Sequence, residues 1–166
     1  MPLNRAFIGR AVSSTTPVEV TRGDIRRFAA AIGDANPAYY DVAAARALGH
    51  PDVIAPPTFL ITASTAGDAA GGLIGDPDLG LDYSLVVHVE EGFELHRPVR
   101  AGDLLDSVTS IAQIRDAGRN ELLQVVTEVT SSGERVATVT NSIVSRGTAA
   151  PRNAVPRALA DRKSVV

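Results

Sequence analysis

Apolar positions in the first third of the chain recur at helical spacing. In TRGDIRRFAAAIG, Ile25, Phe28, Ala29 and Ile32 fall three or four residues apart on one face, which predicts a helix. Thr21 stands at the cap position, Asp24 follows three residues later as in a capping box, and Gly33 ends the run. A shorter helical stretch, YYDVAAARALG, closes on Gly49, and HPDVIAPP cannot continue it through three prolines. From Thr58 to about Ile74, TFLITASTAGDAAGGLI is apolar almost all round. It predicts a buried core helix, with Pro57 at or just before the first turn and with Gly67, Gly71 and Gly72 lowering its propensity.

Beyond the loop GDPDLGLD the pattern turns to strands. YSLVVHVEEGFEL, LLDSVTSIAQI, ELLQVVTEVTS and RVATVTNSIVS are β-rich and separated by short turn clusters, RPVRAGD, RDAGRN and SSGE. Helices followed by a run of strands means an α+β fold, with an antiparallel β-sheet curved around the helix that starts near Thr58. Residues 1–146 are expected to form one domain, and residues 147–166 a flexible C-terminal extension.

Composition narrows the function classes. The chain has 166 residues, 45% of them hydrophobic and 21% charged, and a net charge of −3, which suits a single soluble domain rather than a nucleic-acid binder. Four Phe, three Tyr and no Trp leave the core to aliphatic side chains. With no cysteine there is neither a disulfide framework nor a thiolate nucleophile. The N-terminal residues lack the apolar stretch of a signal peptide and no segment reaches the length of a membrane span, so a cytoplasmic protein without membrane partners is expected.

Several chemistries find no support. The three histidines, His50, His88 and His96, form no i,i+4 pair, so no metal site is expected. Asp76, Asp78 and Asp82 in GDPDLGLD lack the closing glutamate of a calcium loop and read as a solvated turn. There is no GxSxG elbow, and AGGLIGD lacks the lysine of a phosphate loop. What remains is IGDANPAYYD, a polar turn that delivers Asp34, Asn36, Tyr39 and Tyr40 beside a helix end. Asp34 and Asn36 are equally ordinary turn formers that bond their own backbone, and Tyr39 equally a residue stacked on the sheet.

FAAAIGDANPAYYD, followed by VIAPPTFLITAS and then by FELHRPVRAGDLL, resembles the MaoC-like (R)-specific enoyl-thioester hydratases and (3R)-hydroxyacyl-thioester dehydratases. The likeness is closest to the subgroup that includes mycobacterial hydroxyacyl-carrier-protein dehydratase subunits, and it runs from about Val18 to Arg146. The resemblance implies a hot-dog fold, an antiparallel sheet wrapped around a long central helix. It also implies a homodimer, or a heterodimer with another hot-dog subunit, and an acyl-CoA or acyl-carrier-protein substrate, with no cofactor. The family motif places an aspartate, Asn-Pro and a histidine where this chain has Asp34, Asn36, Pro37 and Tyr39, so the acid/base histidine is replaced. An imidazole titrates near neutrality, whereas a tyrosine's ordinary pKa of ~10 makes it a poor base at pH 7.

A second departure falls at Pro57, where catalytic members carry a glycine whose N–H helps to hold the thioester oxygen. Proline has none to give, which leaves Thr58 as the substitute donor. His88 and His96 are the reserve candidates for the missing imidazole, sharing a face unless Gly92 marks a bulge. Arg97, within the His96-Arg97-Pro98 that recurs in the subgroup, and Arg100 are candidates for the phosphates of a pantetheine carrier. Two readings follow from the resemblance. In the first, the chain is a hydratase or dehydratase with an altered site, using Asp34, Tyr39, Asn36 and Thr58. In the second, it is a non-catalytic acyl-chain-binding subunit whose partner supplies the Asp-His pair.

Overall fold

The computed structural model describes residues 1–62 and 68–149. Six antiparallel strands form one sheet: β1 (Ala11–Ser13), β2 (Val18–Glu19), β3 (Val86–Leu95), β4 (Leu104–Ala117), β5 (Asn120–Ser131) and β6 (Glu134–Ser145). Their order is β1-β4-β5-β6-β3, and β2 also pairs with β4, so β1 and β2 share one edge while β3 forms the other. The four long strands coincide with the four β-rich runs. The two short ones escape a periodicity reading because two or three residues cannot display a period.

Helix α1 (Arg22–Ala31) is built as its sequence predicts. Thr21 Oγ1 accepts the Asp24 N–H, and the Asp24 carboxylate accepts the Thr21 N–H at 3.0 Å, which completes a capping box. Ile25 and Ala29 are buried, Phe28 is half-buried, and Ile32, one turn on, is exposed. Gly33 leaves the helix at φ +72°, a conformation that glycine adopts without strain. Helix α2 (Val42–Ala47) is capped by Asp41.

The helix expected over Thr58–Ile74 falls partly on residues 63–67, which lie outside the described residues. On either side of them, residues 60–62 are helical and α3 covers Asp68–Ile74, and Thr58 itself lies in the turn before residue 60. No described helix is long and apolar enough to cross a membrane.

Strand β5 alternates strictly, turning Leu123, Val125, Thr127 and Val129 inward. The sheet buries two apolar clusters. One gathers Val20, Ile25, Tyr39, Val53, Phe59, Leu60, Val136 and Val139, and the other Leu3, Phe7, Leu73, Leu79, Ile111, Leu123 and Ile143. At the C-terminal end, hydrogen bonds extend as far as Ala149. Gly147 N–H donates to Asn120 Oδ1, the Thr148 hydroxyl to Ser145 O, and Ala149 N–H to Arg119 O. The rest of the expected extension lies outside the described residues.

Candidate functional site

The stretch from Asp34 to Tyr40 is a chain of local hydrogen bonds. Asp34 N–H donates to Ala29 O at 2.9 Å, and Asp34 Oδ1 accepts the Asn36 N–H at 3.0 Å. Asn36 Oδ1 in turn accepts the Ala38 N–H at 3.1 Å, capping the single turn Pro37–Tyr39. The Tyr40 hydroxyl donates back to Asp34 O at 2.8 Å. These are the turn-forming bonds that Asx residues make with their own backbone. Tyr39 is only 7% exposed and belongs to the same apolar cluster as Val53, Phe59 and Val139.

Pro57 and Thr58 occupy an exposed turn, followed by buried Phe59 and Leu60. The Phe59 ring meets Phe28 edge-to-face, with centroids 5.5 Å apart. A groove of about 300 Å³ opens beside them, lined by Asp24, Arg27, Phe28, Phe59 and Thr62. The hydrogen bonds from Thr21 hold the Asp24 carboxyl below the usual carboxylate range, with Arg27 adding to the effect. The N–H and hydroxyl of Thr58, on this exposed turn, donate to no acceptor among the described residues.

His88 lies near the start of β3 and His96 just past its end, and they do not converge. His88 pairs with Ile143, while His96 N–H donates to Val136 O, seven residues away along β6, or roughly 24 Å at strand rise. The irregularity in β3 falls between His88 and Glu90, at Val89, and not at Gly92, which pairs regularly with Thr140. In an unbroken strand, residues three apart face opposite sides, but the extra residue of a bulge restores them to one side. His88 Nε2 thereby donates to Glu91 Oε2 at 2.9 Å. His96 Nε2 has only a long 3.4 Å approach to Thr138 Oγ1.

All three Arg97 nitrogens are engaged. Nη1 and Nη2 donate to Asp103 at 2.8 Å each, Nε donates to Glu134 at 3.0 Å, and Nη1 also reaches Pro98 O. Arg100 N–H adds a bond to Asp103 Oδ2 at 2.9 Å. Burial pushes the Asp103 carboxyl up, but hydrogen bonds from Arg97 and Arg100, with the Arg97 charge, outweigh it and leave the group below its ordinary value. This fork ties together the turn between β3 and β4 and holds the Arg97 side chain to 14% exposure.

The sheet's inner face holds a feature that sequence reading missed. A cavity of about 310 Å³ opens between the two apolar clusters, lined by Ile74, Val86, Val125, Val139 and Ile143, with Tyr83, Glu91, Thr127 and Asn141 as its polar members. Glu91 and Asn141 are directly opposed on β3 and β6, and Asn141 Nδ2 donates to Glu91 Oε2 at 2.5 Å. Glu91 on β3 and Asn141 on β6 were the available signal, and the bulge at Val89 hid it. Among the described residues, no three His, Cys, Asp or Glu side chains converge as a metal site.

Comparison with known proteins places this architecture. The sequence matches the family described as "FAS1-like, dehydratase domain region" over residues 6–139. It is 57% identical to a UPF0336 protein of Parafrankia sp. (strain EAN1pec) over 153 residues, 92% of this chain and 100% of that one. Among solved structures, a MaoC-like dehydratase superposes with a TM-score of 0.78 at 32% identity, covering 85% of this chain and 42% of that longer one. The HadBC (3R-hydroxyacyl-ACP dehydratase) complex from Mycobacterium tuberculosis matches at a TM-score of 0.72 and 25% identity, covering 81% and 96%. An antiparallel six-stranded sheet, a motif stretch closed by its own backbone bonds and these matches agree: the chain belongs to the UPF0336 proteins of the FAS1-like dehydratase region family, within the MaoC-like superfamily.

Proposed function

We propose that this chain is the acyl-binding half of a hot-dog hydratase/dehydratase that acts on 2-enoyl or (3R)-hydroxyacyl thioesters of CoA or acyl carrier protein. A second hot-dog subunit brings the Asp-His pair. The observation that carries this reading is the state of the motif. Asp34 Oδ1 and Asn36 Oδ1 close local turns, and the residue at the histidine position, Tyr39, lies in the core. Adding or removing water across a conjugated double bond needs a group that shuttles the α-proton near neutral pH, and an imidazole delivered by a partner meets that need. The apolar cavity on the inner sheet face gives the acyl chain its place. The likeness to HadBC, a complex of dehydratase subunits, supports assembly with an unlike partner.

A second reading, a self-sufficient enzyme, rests on Thr58. Its N–H and hydroxyl suit a developing thioester oxyanion, with Asp34 as base or water-holder, Asn36 orienting and Tyr39 as proton donor. Co-expression with a hot-dog protein encoded beside it separates the two. The subunit reading expects a stable pair that hydrates crotonyl-CoA and loses activity when the partner's motif histidine is replaced. Activity that survives this change but not Asp34→Asn favours the self-sufficient enzyme.

A further inference from the structure

We infer that Glu91 selects acyl chains that carry a hydroxyl, an inference that rests on the acyl-binding reading above. Its carboxylate lines the cavity while its side chain is only 12% exposed. Both observed hydrogen bonds, from His88 Nε2 and Asn141 Nδ2, arrive at Oε2. Oε1 has no donor among the described residues, and Glu91 shares the cavity's lining with Val86, Val139 and Ile143. The bulge at Val89 and the opposed Asn141 fix the carboxylate from two sides, so it cannot swing away without breaking both bonds.

A ligand that fills this cavity with hydrocarbon alone strips water from Oε1 and gives nothing back. A ligand that presents an O–H completes the acceptor. Sites built to hydrogen-bond a substrate hydroxyl reject the analogue without it, because the buried polar group is then left unpaired. The cavity lies at the lower end of the ~300–1,000 Å³ range of small-molecule pockets, which suits a medium-length chain rather than a bulky ring system.

The test is calorimetric binding of decanoyl-CoA, (3R)-hydroxydecanoyl-CoA and ω-hydroxydecanoyl-CoA to the full chain. At least one hydroxylated chain is expected to bind roughly 10- to 100-fold tighter than decanoyl-CoA, and which one does so locates Glu91 along the chain. Glu91→Leu is expected to abolish that preference and to tighten decanoyl-CoA. Glu91→Gln, whose single oxygen stays with His88 and Asn141 and so puts an amide N–H where Oε1 was, is expected to weaken it. Equal binding of all three ligands by the unaltered chain overturns the selection while leaving acyl binding intact. Binding of none overturns both.

Discussion

Arg97 and Asp103 meet across the turn from β3 to β4 through two parallel hydrogen bonds, Nη1 to Oδ2 and Nη2 to Oδ1, each 2.8 Å long. In the sequence these residues belong to HRPVRAGD, a motif that suggested carrier recognition. In the structure they form a largely buried fork, 14% and 5% exposed, reinforced by Glu134 and by the Arg100 N–H. Removing one partner leaves the other's charge uncompensated. Arg97→Ala is therefore expected to destabilise the chain by about 3–5 kcal/mol, and Arg97→Lys by less, since an ammonium cannot make both bonds. Urea unfolding measures both.

The same fork predicts a pH dependence. Asp103 titrates lower in the folded chain than in the unfolded one, where carboxylates of its type sit near ~3.9. Its contribution is complete above that value and is lost as the pH falls through the lower, folded-state pKa. Unfolding midpoints measured between pH 7 and pH 2 are expected to drop on the acid side, and Asp103→Asn is expected to flatten that limb while lowering the plateau.

At the far end of the sheet, Glu121 is fully buried, its Oε2 accepts the Leu3 N–H at 2.8 Å, and Arg5 lies 3.8 Å from its Oε1. Removing the first five residues leaves this carboxylate with neither partner. The truncated chain is expected to be less stable by about 3–5 kcal/mol at neutral pH, with Glu121→Gln recovering part of the loss, as thermal unfolding can show.

Tyr39 distinguishes a packing residue from a proton donor. Its ring lies in the larger apolar cluster at 7% exposure. Tyr39→Phe keeps the ring and is expected to leave both stability and the activity of the assembled pair within twofold of the original. Tyr39→Ala is expected to cost about 3–5 kcal/mol through the void it opens. A large loss of turnover in the Phe variant, with stability unchanged, would assign the hydroxyl a chemical role.

The long strands were legible because each carries enough residues to show alternation, most plainly in β5. The capping box at Thr21 and Asp24 was legible because helix caps are local. Long-range consequences were not. Gly92 drew attention as the residue most tolerant of a bulge, yet the extra residue is Val89, where the register between β3 and β6 decides. Glu91 and Asn141 stand some fifty residues apart and meet only through that register. Arg97 read only as a candidate for carrier phosphates because Asp103 and Glu134 become its partners only when the turns fold. At Asp34 and Asn36 the sequence supported both a catalytic motif and a plain turn, and the turn bonds to Oδ1 of each are present.

The most direct test of the central claim is hydration of trans-2-decenoyl-CoA by the purified chain alone, beside Asp34→Asn and beside the assembled pair. The account predicts no turnover above background from the chain or its variant, and clear turnover from the pair. Turnover by the isolated chain that Asp34→Asn abolishes would contradict it.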